Sequence, residues 1–359
     1  MRVKLLLRSL LAASLTLLSV ASVNYMVDPA LVLRDGEYER VLAGGILAGS
    51  NAVLSENMNE RSFQRYLING LETTPDSVIL GSSRALLIPS ESFGAGFVLN
   101  NGVSGAVIED MIGIFSLYDG RGMLPDTVYL VVDPWLFNDS HMDTRYLELL
   151  PEYNAVTDKL RLRPIPATVQ TKGWYVKLEQ AVSPTYFQAS VKNIHSRPPA
   201  PVLIDGMDDA YNMKLSDGGV VYPAAYRNRT ESEVVTDVKA TINGDYIYHS
   251  TNYETLSPVV LTQFMGLFNY LEDSGVNVVY ILPPLHPLLY EYACESGEYG
   301  AFLEAEAFVL DFASQRGIPA IGSFDPAKVG ASGGDFYDAY HPKREFMAQF
   351  CQSLSELFR

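Results

Sequence analysis

The fold is decided by the stretch DSVILGSSRALLIP, residues 76–89. Its apolar run, 77–80, stops at Gly81 and is followed by two serines and Arg84. A short apolar run bounded by a glycine is typical of a strand buried on both faces, as in a parallel sheet. Glycine permits a sharp turn, so a serine just past it projects from the carboxyl end of the strand. Open parallel sheets bind ligands at that edge, and the stretch therefore predicts a serine hydroxyl at a ligand site.

Apolar runs alternate with amphipathic stretches along most of the chain. The predicted strands are 77–80, 96–100, 127–132, 276–282 and 318–321. The predicted helices lie within 59–72, 105–120, 258–275 and 301–317. Strand followed by helix, repeated, implies right-handed crossover connections and helices on both faces of the sheet. The predicted fold class is α/β, a three-layer α/β/α arrangement with a mostly parallel, doubly wound sheet.

One long segment, about 141–256, interrupts this alternation. It is rich in Pro, Gly and Tyr and is far longer than an ordinary connection between elements. We interpret it as an insertion near the carboxyl edge of the sheet, within a domain that spans 29–359. A lid, an acceptor platform and a purely structural elaboration all stay open as its role.

The composition excludes some classes of partner and cofactor. Asp and Glu total 42 against 26 Lys and Arg, which argues against nucleic acid because phosphate binding needs clustered cations. The two cysteines, Cys294 and Cys351, are too few for a tetrahedral zinc site, and the sequence leaves open whether they pair. Neither a metal-ligand cluster nor a dinucleotide fingerprint occurs, so we expect no metal and no organic cofactor.

The first residues have the character of a membrane segment. Arg2, Lys4 and Arg8 precede a charge-free stretch at 9–26. About 18 uncharged residues can span a bilayer as a helix, and the basic flank keeps the N-terminus in the cytoplasm. We expect residues 1–28 to be a single-pass anchor in the cytoplasmic membrane, with the bulk of the chain in the periplasm. A cleaved signal peptide is the alternative.

Three further stretches bring polar residues to the same edge of the predicted sheet. NNGVSGAVIEDM, residues 100–111, puts small residues before a helix, where backbone N–H groups suit an oxyanion. VVDPWLFND, residues 131–139, closes a predicted strand with a polar turn. In GGDFYDAYHPKREF, residues 333–346, Asp338 and His341 are three residues apart. That spacing brings a carboxylate beside an imidazole, which can hold Nδ1–H and leave Nε2 to accept a serine proton.

The chain has five histidines, and position along the sequence separates them. His286 follows the predicted strand 276–282 and is expected at the rim of the same edge. The side chains expected at the substrate rim are Arg84, Trp135 and His286. The histidines in or beside the insertion are less well placed for a role in the site: His141, His195 and His249.

The order of these blocks resembles the SGNH (GDSL-type) hydrolase superfamily. Matching residues 81–84 to the Gly-Asp-Ser block of that family makes Ser83 the nucleophile and puts Ser82 in place of the aspartate. By the same resemblance, His341 is the general base and Asp338 is the carboxylate that orients it. The resemblance also implies that Gly105 supplies an oxyanion N–H beside that of Ser83.

The third block departs from the family pattern. The family has Gly-x-Asn-Asp after this strand, with the asparagine amide in the oxyanion hole, whereas this chain reads Asp133-Pro134-Trp135. Asn138, a few residues on, is the expected substitute. Loss of one oxyanion donor costs roughly 2.7–4 kcal/mol of transition-state stabilisation, so a weaker enzyme is one expectation.

The membrane segment, GSSR, DPW and YHP together resemble the exported SGNH-like proteins of bacterial cell-envelope assembly. Relatives of that kind include the alginate acetylation proteins and the lipoteichoic acid D-alanylation protein. The resemblance implies a serine acyl-esterase or O-acyltransferase that acts on a cell-surface polysaccharide or other acylated glycan through an acyl-serine. It also implies a membrane-bound O-acyltransferase as partner.

Two other interpretations are carried forward. Gly81-x-Ser83-x-Ala85 approximates the nucleophile elbow of an α/β-hydrolase, but that fold has several strands before its serine. A catalytically degenerate SGNH-like domain that binds glycan or scaffolds an export complex is the second alternative. The missing asparagine of the third block favours that alternative, and the intact Ser83, Asp338 and His341 disfavour it.

Overall fold

The computed structural model of this protein describes residues 2–34, 36–55, 57–140, 143–166, 173–194, 200–244, 253–297 and 299–357. The strands are β1 (Asn51–Val53), β2 (Ser77–Leu80), β3 (Val98–Asn100), β4 (Thr127–Val131), β5 (Val202–Ile204), β6 (Met213–Lys214), β7 (Val220–Val221), β8 (Asn277–Leu282) and β9 (Ala320–Gly322). The helices before the insertion are α1 (Arg2–Val27), α2 (Glu37–Leu47), α3 (Glu60–Asn69) and α4 (Ile108–Gly120). Those that follow are α5 (Leu150–Leu160), α6 (Gly173–Val182), α7 (Pro184–Lys192), α8 (Ala224–Arg227), α9 (Glu231–Asn243), α10 (Pro258–Asp273), α11 (Pro287–Glu295), α12 (Gly300–Arg316) and α13 (Arg344–Leu357).

The main sheet has five parallel strands in the order β3-β2-β4-β8-β9. These are the five predicted strands with small shifts at their ends, and the predicted α/β class with a parallel sheet is confirmed. The chain leaves β2 toward one side of the sheet and leaves β4 toward the other. The carboxyl ends of β2 and β4 therefore flank the point where strand order reverses, which is where open α/β sheets bind ligands.

Alternate residues of the strands bury opposite faces of the sheet. Val78, Leu130 and Tyr280 face the larger core, which α4, α10 and α12 cover. Ile79 and its neighbours on the other face pack on α13 in a smaller cluster. Continuous apolar strands therefore arise because helices cover both faces, as the sequence predicted.

The two cysteines are both free thiols. Cys351 is buried in the smaller cluster beneath α13, and Cys294 is exposed on α11. The structure therefore answers the question of pairing that the sequence left open, because no disulfide joins them.

The insertion is joined to the chain that precedes β2. Its strands β5 and β6 flank β1 in a four-stranded antiparallel sheet of order β5-β1-β6-β7. Its first helix, α5, packs against α4, with Val156 and Leu160 in the larger core. The segment therefore completes the core and adds a second sheet. Three histidines of this segment lie outside the described residues: His141, His195 and His249.

The N-terminal helix α1 is an apolar helix of 26 residues. Residues 3–19 are exposed along its first part, and its last turns contact α6 and α7. By length and composition α1 can cross a membrane, so the predicted N-terminal apolar helix is confirmed. A signal sequence has the same character. Retention of the helix and a periplasmic location of the remaining chain therefore stay predictions.

Candidate active site

Ser83, His341 and Asp338 form a continuous hydrogen-bonded chain. Ser83 Oγ lies 2.8 Å from His341 Nε2, although the two residues are 258 positions apart in the sequence. His341 Nδ1 lies 2.8 Å and 3.0 Å from the two carboxylate oxygens of Asp338. With the proton on Nδ1 and held by the carboxylate, Nε2 is free to accept the proton of the serine hydroxyl. This is the arrangement of a nucleophile, a general base and an orienting acid.

The turn after β2 separates the roles of the two serines. Gly81 has φ 156°, and a Cβ on it would lie 2.7 Å from the Cβ of Val131, so the turn requires glycine. Ser82 is 1% exposed, and its hydroxyl accepts from the backbone N–H of Arg84. Ser83 is only partly buried and faces His341. The geometry therefore favours Ser83 over Ser82 as the reacting group.

Asp338 is held as a carboxylate by several donors. It accepts hydrogen bonds from the backbone N–H groups of Tyr340 (2.7 Å) and His341 (2.9 Å) and from the hydroxyl of Tyr226 (2.7 Å). Burial alone would raise the pKa of Asp338, but the field of His341 and these hydrogen bonds outweigh it and lower the pKa. The group is therefore ionised and positioned to stabilise an imidazolium. Tyr226 comes from α8, so the insertion reaches the site.

The loop that carries Gly105 is fixed by α3. Arg61 is 2% exposed, donates to the carbonyl of Ser104 at 3.0 Å and makes a two-bond pair with Asp110. Glu60 accepts from both the N–H and the hydroxyl of Ser104. Because a trans peptide is planar, the N–H of Gly105 points opposite to that anchored carbonyl, away from Arg61. This geometry is compatible with Gly105 as an oxyanion donor, and that role stays a prediction.

The third block, residues 131–139, does not show the arrangement expected from the family pattern. The side-chain oxygen of Asn138 accepts from the N–H of Ser140 and so caps its own loop. Asn138 is 3% exposed and is not among the residues that line the cleft at Ser83. Asp133 pairs with Arg84, with Oδ1 3.0 Å from a guanidinium nitrogen. The structure thus brings Ser83, His341 and Asp338 together, whereas Asn138 is buried with its side-chain oxygen bonded within its own loop, and an oxyanion role for Asn138 stays a prediction.

The three side chains expected at the substrate rim are buried instead. Their exposed fractions are 0% for Arg84, 5% for Trp135 and 1% for His286. Arg84 points inward because Asp133 and two backbone carbonyls of the loop after β8 bind its guanidinium, which also lies over the ring of Trp135. Burial lowers the pKa of Arg84 and raises that of Asp133, each opposed by the charge of the other. The rim assignment was therefore wrong.

A cleft of about 260 Å³ opens beside Ser83 between the main sheet and the antiparallel sheet. Its lining residues are Leu54, Ser55, Met58, Glu60, Ser83, Leu86, Ser104, Arg145, Asn212, Val220 and Tyr222. Apolar side chains are mixed with hydroxyl, amide and charged groups, a lining that can hold an acylated, hydroxyl-bearing molecule. Lys214 on β6, two residues after Asn212 of this lining, is 1% exposed, and burial lowers its pKa to about 8.

Sequence reasoning did not single out Glu60, Arg61, Tyr222 or Tyr226. Glu60 and Arg61 begin a helix that was predicted, so their position in its first turn could be inferred from the sequence. Their hydrogen bonds to Ser104 could not be inferred, because these bonds join residues that are 43 or 44 positions apart. The two tyrosines lie in the insertion, where no motif marks them.

In the described parts of the chain, no group of three or more His, Cys, Asp or Glu side chains is arranged to hold a metal ion. No protein-family model matches this chain, and no curated protein matches it either.

Proposed function

We propose that this protein is a serine acyl-esterase or O-acyltransferase of SGNH type that acts on a cell-surface polysaccharide. The observation that carries the proposal is the hydrogen-bonded chain Ser83–His341–Asp338, in which Ser83 follows β2 and the other two residues lie in the loop after β9. A carboxylate, an imidazole and a hydroxyl in this order, all partly buried here, activate a serine for acyl transfer. The membrane anchor, the glycan and a membrane-bound O-acyltransferase as partner belong to the proposal through the resemblance of the motifs.

The reaction proceeds in two balanced steps. Ser83 Oγ attacks the acyl carbonyl carbon while His341 Nε2 takes the hydroxyl proton, and Asp338 stabilises the resulting imidazolium. When the carbon–oxygen bond to the alcohol breaks, His341 returns the proton to that oxygen, which leaves an acyl-serine. Water or a sugar hydroxyl then gives its proton to His341 Nε2 and attacks the acyl carbon, and His341 passes that proton to Ser83 Oγ as the bond between the acyl carbon and Oγ breaks. Which acceptor arrives decides between hydrolysis and transfer.

A second candidate is a binding or scaffolding subunit with the same fold. It is favoured by the third block, where Asp133, which has no side-chain amide, pairs with Arg84 in place of the asparagine of the family pattern. The two candidates differ in one measurable property, which is whether Ser83 reacts with an electrophile.

The deciding experiment is peptide mapping after exposure of the full chain in detergent to a fluorophosphonate. We expect an adduct on Ser83 that disappears in His341→Ala, because the base is needed to activate the hydroxyl. Ser82→Ala is the matched control and should keep the adduct, since Ser82 is buried and turned inward. A folded wild-type protein without any adduct would support the binding subunit and reject the enzyme.

A further inference from the structure

The helical hairpin α6–α7 is bound to the end of α1 through a buried amide. The side-chain nitrogen of Asn24 lies 3.0 Å from the carbonyls of Gln180 and Ala181 and 3.3 Å from that of Ser183. Asn24 is 0% exposed. The hairpin therefore covers the last turns of α1 and supplies acceptors to the amide nitrogen of Asn24, whereas Asn24 Oδ1 has no hydrogen-bond partner among the described residues.

A second buried group fixes the same junction. Asp28 is 0% exposed and accepts a hydrogen bond of 2.6 Å from the hydroxyl of Tyr186 on α7. It also accepts from the backbone N–H groups of Val32, Leu33 and Arg34. The end of α1, the hairpin and the segment that follows α1 are thus held in a defined arrangement.

The position of Asn24 along α1 sets the depth of the hairpin. The charge-free stretch 9–26 is about 27 Å long at about 1.5 Å per residue, close to the thickness of the hydrocarbon core. Asn24 lies two residues from the end of that stretch, roughly 3 Å along the helix axis. A hairpin that packs on Asn24 and Asp28 therefore lies at the level where α1 would leave the bilayer.

The hairpin exposes apolar side chains at this level. The exposed ones are Tyr175, Val176, Leu178, Val182, Val191 and Ile194, with exposed fractions between 39% and 61%. On α1 itself, Tyr25 and Met26, which follow Asn24 in the sequence, are exposed at 56% and 62%. Both elements of this junction thus expose apolar side chains, and a helix that lies in the membrane interface has such side chains.

We propose that the α6–α7 hairpin is a second membrane contact, which lies in the outer interfacial layer of the bilayer with its exposed apolar side chains among the lipids. The inference rests on the proposed crossing of the membrane by α1. The occupant of this surface is lipid, because the hairpin packs on α1 where α1 leaves the bilayer. Two contacts, in place of one flexible tether, orient the catalytic domain against the membrane surface.

The test uses the full chain reconstituted into vesicles of phosphatidylcholine and phosphatidylglycerol. In a Cys294→Ser background the remaining cysteine, Cys351, is buried, so that a fluorophore reports a single introduced thiol. The probe site is Leu178→Cys on α6. Val259→Cys is the matched control, since the exposed fraction of Val259 is close to that of Leu178 (62% against 57%) but Val259 lies on α10. Leu15→Cys reports the insertion of α1.

We expect nitroxide-labelled lipids to quench the probe at position 178 several-fold more than that at 259, and aqueous dithionite to do the reverse. Equal behaviour at 178 and 259, with position 15 protected by lipid, would overturn the hairpin contact and leave the anchor intact. Access of dithionite to position 15 as well would overturn both. Fluorophosphonate labelling of Ser83 in the same samples is scored separately, so failure of the enzyme proposal is distinguishable.

Discussion

The loops after β8 and β9 each place a histidine at the carboxyl edge of the sheet, with opposite outcomes. His341, after β9, lies between Asp338 and Ser83 and is partly exposed. His286, after β8, is 1% exposed, and its Nδ1 accepts from the N–H of Leu288 at the start of α11. Its Nε2 has no hydrogen-bond partner among the described residues. One histidine is arranged for proton transfer and the other caps a helix.

The difference teaches that the partners of a histidine, and not its place at the sheet edge, decide its role. His341 has a carboxylate on Nδ1, so Nε2 accepts a proton. His286 uses Nδ1 as an acceptor, and burial lowers its pKa, which keeps the ring neutral. Arg84 stabilises the loop after β8 that carries His286, because its guanidinium donates to the carbonyls of Pro283 and Pro284.

The largest effect is expected on catalysis, when the loop that carries His341 loses the Asp338 carboxylate. Asp338→Asn should lower kcat for p-nitrophenyl acetate about 10,000-fold, because the amide holds the imidazole in the wrong tautomer. Tyr226→Phe, which removes one donor to the same carboxylate, is the matched variant and should keep most of the activity. Activity of Asp338→Asn within tenfold of wild type would show that His341 does not depend on Asp338.

The next largest effect is expected on the free energy of unfolding, when the loop that carries His286 loses its contacts with Arg84. Arg84→Met should lower the free energy of unfolding by about 3–5 kcal/mol, because it leaves the buried Asp133 charge unpaired. Denaturant unfolding of the detergent-solubilised chain, followed by near-UV circular dichroism, measures it. The double variant Arg84→Met/Asp133→Leu should recover much of the loss. A double variant as unstable as the single one would show that the lost carbonyl contacts, and not the unpaired charge, are responsible.

The smallest effect is expected at His286 itself. His286→Asn should keep the activity and change the free energy of unfolding by about 1 kcal/mol or less at pH 7, since asparagine also caps helices. The folded-state pKa of His286 is lowered, so the unfolded chain binds more protons and wild-type stability falls as the pH drops below about 6.5.

Denaturant unfolding of wild type and His286→Asn at several values between pH 7 and pH 5 measures this difference. The free energy of unfolding of the variant should rise relative to that of wild type as the pH falls. A loss of activity as large as that of His341→Ala would instead place His286 in the proton-transfer chemistry.

Some features could be predicted from sequence because they depend on neighbours along the chain. The strand ending at Gly81 and the proximity of Asp338 to His341 follow from a buried apolar run and from a spacing of three residues. The rim assignment of Arg84 and His286 was wrong because sequence position at a strand end does not show whether a side chain points outward. The Tyr226 hydroxyl on Asp338 has no local signal, since it comes from 112 residues away.

The sequence by itself determined the α/β class, the five parallel strands and the apolar helix α1, because the periodicity and length of apolar runs depend on local solvent exposure. The tertiary structure decided that Ser83 and not Ser82 faces His341, since that contact joins residues 258 positions apart. It also decided that Arg84 is buried and that the α6–α7 hairpin packs on α1. Contacts between distant segments depend on how the chain closes on itself, which local patterns do not encode.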